Sequence, residues 1–255
     1  MSLSGRVALV SGGGRGIGRA VALALAEDGA DIAVNYRRDE ASARETVAAI
    51  EGLGRKAVAY RASVDRFEED QAMVEAAVKD LGPIDILVNN AGIASRGHSV
   101  ADTEPAELER VLRTHAFAAH YLAKLVLPSM RERPRGDILM ISSVATQINP
   151  GWGGPYNMAK AAMEALAFTL ANEERQHGIH VNVVAPGLVE TEMGRRLVKA
   201  TQGVDDLRQL DKNMPFGHVC TPEEVAAIVR FLVSDAAGYI SGQRIYVDGG
   251  VSGAS

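Results

Sequence analysis

Tyr156 and Lys160 are four residues apart, so a helix places them on one face. Free tyrosine titrates near 10 and exchanges protons poorly at neutral pH. A neighbouring ammonium favours the phenolate and draws the phenol toward the working pH. Tyrosine can then give a proton to a carbonyl oxygen or take one from an alcohol. Ser143 lies 13 residues upstream, and its hydroxyl can hydrogen-bond the same oxygen as charge develops on it. Alone, a Tyr–Lys pair at this spacing reads better as a surface helix contact. Its place after Ser143, downstream of a glycine-rich loop, gives it chemical meaning.

That loop is Ser11-Gly12-Gly13-Gly14-Arg15-Gly16-Ile17-Gly18. It joins the apolar run Val7-Ala8-Leu9-Val10 to the helical sequence Arg19–Ala26. A strand, a glycine loop and a helix start together form a phosphate cradle, because helix-terminal amides and the helix dipole favour negative charge. The plain alternative is a glycine-rich turn with no ligand. The spacing is not the usual G-x-G-x-x-G: Gly12 is followed by three residues, then Gly16, one residue and Gly18.

The elements that must position these groups recur along the chain. Short apolar runs (Val7–Val10, Ile32–Val34, Ala57–Ala59, Ile84–Val88, Ile138–Ile141, Ile179–Val184, Ile245–Val247) alternate with longer helix-like segments, among them Glu104–Met130 and Pro155–His177. This alternation predicts parallel strands joined by crossover helices. The fold class expected is α/β, a Rossmann-like doubly wound sheet of about seven parallel strands with helices on both faces. In that architecture ligands sit outside the carboxyl ends of the strands, where both Ser143 and the glycine loop fall. No Pro/Ser-rich linker divides the chain, so residues 1–255 are expected to form one domain.

Composition excludes several classes. The chain is 47% hydrophobic and 23% charged with a net charge of −5, which suits a soluble globular protein and disfavours a nucleic-acid binder. One cysteine, Cys220, allows no internal disulfide and no zinc cluster, and no metal is expected. No apolar run reaches the roughly 18 residues that span a bilayer, and the first six residues lack the apolar core of a secretory signal. A cytoplasmic location is the expectation.

Five ordered motifs resemble those of the short-chain dehydrogenase/reductase family, over residues 4 to 250. They are the glycine loop, with Ser11 for the usual threonine; Asn89-Asn90-Ala91-Gly92; Ser143; Tyr156-x-x-x-Lys160; and Pro186-Gly187 with Thr191. The nearest resemblance is to the 3-oxoacyl-carrier-protein reductase-like group. It implies an oxidoreductase interconverting a ketone and a secondary alcohol, with Tyr156 as general acid/base. The resemblance also implies that Lys160 holds the nicotinamide ribose. The implied cofactor contacts are Gly12, Arg15, Gly16, Ile17, Gly18, Tyr36, Arg37, Arg38, Ser63, Val64, Asn90, Ala91, Gly92, Tyr156, Lys160, Pro186, Gly187, Val189 and Thr191. A homotetramer is implied as well, for which the alanine-rich stretches Ala116–Ala123 and Ala159–Ala167 would allow close helix contact. An NAD-dependent alcohol, sugar or hydroxysteroid dehydrogenase is the alternative enzyme. A non-catalytic nucleotide-binding protein is the alternative class.

The second strand ends Val34-Asn35-Tyr36-Arg37-Arg38, with no carboxylate where one would hold a ribose 2′-hydroxyl. Guanidinium groups suit a 2′-phosphate, so Arg37 and Arg38, with Arg15, favour NADP(H) over NAD(H). Solvated surface charge is the other reading.

Two positions depart from the family. His115 aligns with an asparagine that supports a proton relay. A neutral imidazole has one donor and one acceptor and can stand in, and it can also titrate near neutral pH; a satisfied buried histidine is the equal alternative. Ser63 replaces an aspartate that contacts adenine. Ser143, Tyr156, Trp152 and Met193 are the expected substrate contacts, under a lid at about 190–216. Trp152 serves equally well against a neighbouring subunit. Arg195, Arg196 and Lys199 suit a phosphorylated carrier or a solvated helix face.

Overall fold

A computed structural model describes residues 2–253. Among these residues, seven parallel strands form one sheet: β1 (Val7–Val10), β2 (Asp31–Tyr36), β3 (Ala57–Arg61), β4 (Ile86–Asn89), β5 (Gly136–Ile141), β6 (Ile179–Pro186) and β7 (Arg244–Val247). Their order is β3-β2-β1-β4-β5-β6-β7. This is the doubly wound Rossmann-like sheet expected from the alternation of runs.

The strands read as continuous apolar runs because both faces are covered. In β1, Val7 and Leu9 enter one core while Ala8 and Val10 enter the other. Parallel neighbours need crossovers. These are α1 (Gly16–Glu27), α2 (Glu40–Gly52), α3 (Phe67–Leu81), α4 (Pro105–Leu112), α5 (Ala118–Met130), a short α6 (Ala145–Ile148), α7 (Gly154–Glu174), α8 (Glu192–Gln202) and α9 (Pro222–Leu232). Met73 of α3, Leu122 of α5 and Met163 of α7 build the core on one face. Val21 of α1, Ile50 of α2 and Val225 of α9 build the other.

Sequential strands move outward from β1 to β3, and β4 then pairs on the other side of β1. A crevice opens at such a reversal, outside the carboxyl ends. The glycine loop and the Asn90-Ala91-Gly92 turn leave β1 and β4 at that point.

The helix expected over 104–130 is interrupted. Residues Arg113–Phe117 form a π turn, with the Thr114 hydroxyl donating to the Arg110 carbonyl at 2.9 Å. A π turn adds a residue locally and re-aims the helix beyond it, which a 3.6-residue pattern does not reveal, and such turns concentrate at functional sites. This one carries His115. Residues 190–216 contain α8 and a 3₁₀ segment, Leu207–Asn213, packed on a small cluster of Val198, Leu207, Leu210 and Val219 apart from both main cores.

Candidate active site

The first half of the site is a backbone cradle. Ser11 Oγ accepts the amides of Asn90 (2.9 Å) and Ala91 (3.0 Å), so serine fills the role open to threonine there. Asn90 Nδ2 returns to the carbonyls of Ser11 (2.9 Å) and Gly12 (3.2 Å). Asn35, buried at the end of β2, accepts the Gly12 amide (3.1 Å) and donates to the Ala62 carbonyl (3.1 Å). The ends of β1, β2 and β4 are thus tied together. A Cβ at Gly18 would lie 2.2 Å from the Gly12 carbonyl oxygen, so only glycine lets α1 approach its own loop. Arg15 at the N-cap of α1 supplies no side-chain cap, and the first turn carries no acid. The first amides and the positive end of the dipole are left for an anion. The cradle fits the pyrophosphate of a dinucleotide.

The rim divides by role. Arg37 and Arg38 are exposed just past β2. Asp39 is committed to capping α2, accepting the Ser42 amide (3.2 Å) and hydroxyl (2.9 Å), with Arg15 3.9 Å away. Thr191 accepts the Gly194 amide (3.0 Å) as the N-cap of α8, and its methyl group faces Gly16. Tyr36 and Ile17 are half-buried beside the loop. Ser63 donates its hydroxyl to Asp65 (2.6 Å) and its amide to Glu69 (2.7 Å). The side chains of Val64 and Val189 are buried in the two cores. Pro186 accepts the Val144 amide (3.0 Å) and Gly187 donates to the Val247 carbonyl (3.0 Å), fixing the end of β6.

The second half is the polar cluster. Lys160 is 4% exposed, and its Nζ donates to the Ile141 carbonyl at 2.6 Å. That Nζ lies 5.7 Å from the centre of the Tyr156 ring. Ser143 follows β5 by two residues, and its hydroxyl accepts the Ala145 amide at 3.2 Å. His115 packs edge-on against Tyr156, ring centres 5.4 Å apart. Its Nε2 sits on the backbone of Ile93, 2.9 Å from the carbonyl oxygen and 3.2 Å from the amide nitrogen. Its Nδ1 is buried without a hydrogen-bond partner among the described residues. A Cβ at Gly92 would lie 2.5 Å from the His115 ring, so this glycine makes room for the imidazole.

Two expectations about proton affinity need correction. Burial drives His115 down to about 3, aided by the Lys160 charge, so the imidazole is neutral across the working range and does not titrate near neutrality. Tyr156 is not lowered: burial pushes its phenol above the ordinary value, opposed by a hydrogen bond with Ser143. The physical reason is that the phenol is itself buried, where its charged form is disfavoured. Burial brings Lys160 down to about 7, with Glu164 acting in the opposite direction.

Ser143, Tyr156, Lys160 and His115 therefore meet at the carboxyl end of β5, beside the cradle. The two expected substrate contacts are more open, Trp152 69% exposed and Met193 40% exposed. Three contributors went unread in the sequence: Asn35, the Ile141 carbonyl and Glu164. Asn35 carried a signal, as a polar residue at a position buried within an apolar run. The carbonyl carried none. No group of three metal-ligating side chains occurs among the described residues, and no helix among them is long and apolar enough to cross a membrane.

Known proteins resemble this chain over nearly its whole length. A family profile described as "Enoyl-(Acyl carrier protein) reductase" matches residues 12–252. An L-rhamnose 1-dehydrogenase (NAD(P)(+)) of Sphingomonas sp. is 33% identical, over 98% of this chain and 97% of its own. A 3-oxoacyl-[acyl-carrier-protein] reductase of Synechocystis sp. is 36% identical, over 98% of both. A solved putative short-chain alcohol dehydrogenase from Sinorhizobium meliloti superposes with a TM-score of 0.88 at 34% identity, covering 98% of this chain and 97% of that one.

Proposed function

The chain belongs to the short-chain dehydrogenase/reductase family and is an oxidoreductase, and from that premise we propose that it reduces a ketone to a secondary alcohol with NADPH. The observation that carries this reading is the buried Lys160, held on the Ile141 carbonyl with its ammonium facing Tyr156 beside Ser143. When bound, the reduced nicotinamide supplies the hydride that adds to the carbonyl carbon. Tyr156 gives its phenolic proton to the carbonyl oxygen. Its pKa, raised by burial, keeps that proton in place at neutral pH until the carbonyl oxygen takes it. Ser143 donates a hydrogen bond to the oxygen as negative charge builds. Lys160 stabilises the tyrosinate left behind.

His115 supports this step as a neutral imidazole. Its Nε2 is held by Ile93, and its buried Nδ1 keeps an unused hydrogen-bonding position. The preference for NADPH rests on Arg37 and Arg38, free of carboxylate partners at the described strand end, and on Asp39 being turned into the cap of α2. A carboxylate at the strand end would instead select the ribose hydroxyl. The active form is a homotetramer in the cytoplasm. An apolar groove of about 410 Å³ lined by Ala116, Phe117, His120, Tyr121 and Leu166, between the π turn, α5 and α7 with Phe117 43% exposed, supports an interface between copies of the chain.

The test is titration with NADPH and NADH, followed by a screen of ketones, sugars, acyl thioesters and their unsaturated analogues. NADPH should bind more tightly, and ketones should turn over. Tighter NADH binding overturns the arginine argument. Intact cofactor binding with no turnover of any ketone or alcohol would point to the non-catalytic class.

A further inference from the structure

Tyr156, Lys160 and Glu164 recur every four residues along α7 and make one stripe. Glu164 is 4% exposed. One carboxylate oxygen accepts the hydroxyls of Ser142 (2.5 Å) and Thr146 (2.9 Å). The other accepts Nη1 of Arg244, in β7, at 2.7 Å. Ser142 and Thr146 flank Ser143. The Thr146 hydroxyl is also 3.0 Å from the Ser143 carbonyl. Arg244 in turn lies over the Tyr246 ring at 4.9 Å. A single buried carboxylate therefore joins the segment bearing Ser143 to the helix bearing Tyr156 and Lys160, and ties both to the last strand.

We propose that Glu164 is a positioning residue of the reductase site: it fastens the Ser143 segment to the Tyr156–Lys160 face and supplies the negative charge that keeps the buried Lys160 ammonium charged. The inference rests on Lys160 and Tyr156 serving the proposed reduction. A buried ammonium loses its proton readily unless an opposite charge lies near it. The groups around Lys160 make Glu164 the one able to do this. Tyr156 on α7 is neutral, His115 on the π turn is neutral, and Arg244 on β7 is cationic and already paired to Glu164. Glu164 stands one helical turn from Lys160 on the same face of α7, and it raises the Lys160 pKa against burial. Arg244 then sets how much of the carboxylate charge Lys160 feels.

Two variants separate the charge from the fastening. Glu164→Gln keeps an acceptor for Ser142 and Thr146 and removes the charge. Ser142→Ala removes one hydrogen bond and keeps the charge. Proteins carrying ¹³C-labelled lysine are titrated by NMR, and the Lys160 signal is identified by its loss in Lys160→Met. In wild type it should titrate near 7. In Glu164→Gln it should fall by about 1 unit or more, the usual effect of losing one close opposite charge. In Ser142→Ala it should stay in place. The kcat for reduction should fall about five- to tenfold in Glu164→Gln between pH 7 and 8, following the lost ammonium fraction, with little change in KM. An unmoved Lys160 titration in Glu164→Gln overturns the charge role, and so does a lower Tm with an unchanged pH profile of kcat. If the wild-type protein turns over no carbonyl compound, the functional reading fails instead, and the Lys160 titration still decides whether Glu164 holds the charge.

Discussion

The cradle at the ends of β1, β2 and β4 and the proposed substrate side, residues 144–155 and 190–216, are built on opposite plans. The cradle is cross-tied: Ser11, Asn35 and Asn90 spend their side chains on backbone groups, and Gly18 leaves no space for even a methyl group. The substrate side is open. Trp152 and Phe216 are exposed, and both, with Asn149, hold positive φ. Such backbone is uncommon for non-glycine residues and gathers near functional sites. One ligand is common to the whole family and demands one shape; the other differs between relatives, so its side of the crevice need only stay adaptable. That contrast is why the reaction class is readable here and the substrate is not.

The comparison can be broken in several places. The largest effect is expected at the point where the two sides meet. Tyr156→Phe should retain NADPH binding while lowering turnover about a hundred- to ten-thousandfold, the range for losing a general acid. Loss of cofactor affinity in parallel would mean the tyrosine belongs to the cradle. Next is Gly18→Ala. Forcing a Cβ against the Gly12 carbonyl should cost about 1–3 kcal/mol of stability and weaken NADPH binding, read by thermal melts and titration. Wild-type values for both would contradict the close packing of the loop.

His115 comes third. His115→Ala should lower turnover more than His115→Asn, because asparagine restores a donor and an acceptor near Ile93. Equal turnover in wild type and both variants removes the supporting role. Since His115 is neutral down to about 3, no variant at this position should erase an ionisation of the pH–rate profile near neutrality.

Asp70, in the first turn of α3, offers a smaller test. It is fully buried in α3, and neither carboxylate oxygen has a partner among the described residues. Burial, then the charges of Asp65 and Glu69, raise it from 3.8 to about 8. The folded state thus holds this proton where the unfolded chain has lost it. The stability Asp70 contributes is full below 3.8 and is lost as pH rises to about 8. Asp70→Asn should therefore raise Tm most above pH 8 and least near pH 4, and a pH-independent gain would refute the buried acid. The smallest effect belongs to the open side. Trp152→Ala should leave folding stability and NADPH affinity within about 0.5 kcal/mol of wild type, the scale of surface substitutions, and should change KM for the carbonyl substrate alone.

Much of this molecule is legible in one dimension. Apolar runs with helices between them specify a parallel sheet, because strands covered on both faces have no polar side to show. The glycine loop reads as a cradle, because only glycine allows the backbone to come so close. Serine, tyrosine and lysine at their spacing read as proton chemistry, since i and i+4 share a helix face. Less was legible where contacts cross the sheet. The π turn hides inside a helical pattern, and Glu164 looks like an ordinary acid in an alanine-rich helix.

What the sequence determined by itself was therefore local: element types, the loop and the identity of the reacting groups, each set by neighbours a few residues away. The tertiary structure alone decided their charge states. Whether His115 is neutral, whether Tyr156 keeps its proton and whether Lys160 stays an ammonium depend on burial and on groups such as Ile93 and Ile141, brought close only by folding. Proton affinity is set by the surrounding dielectric and charge, and neither exists until the chain has folded.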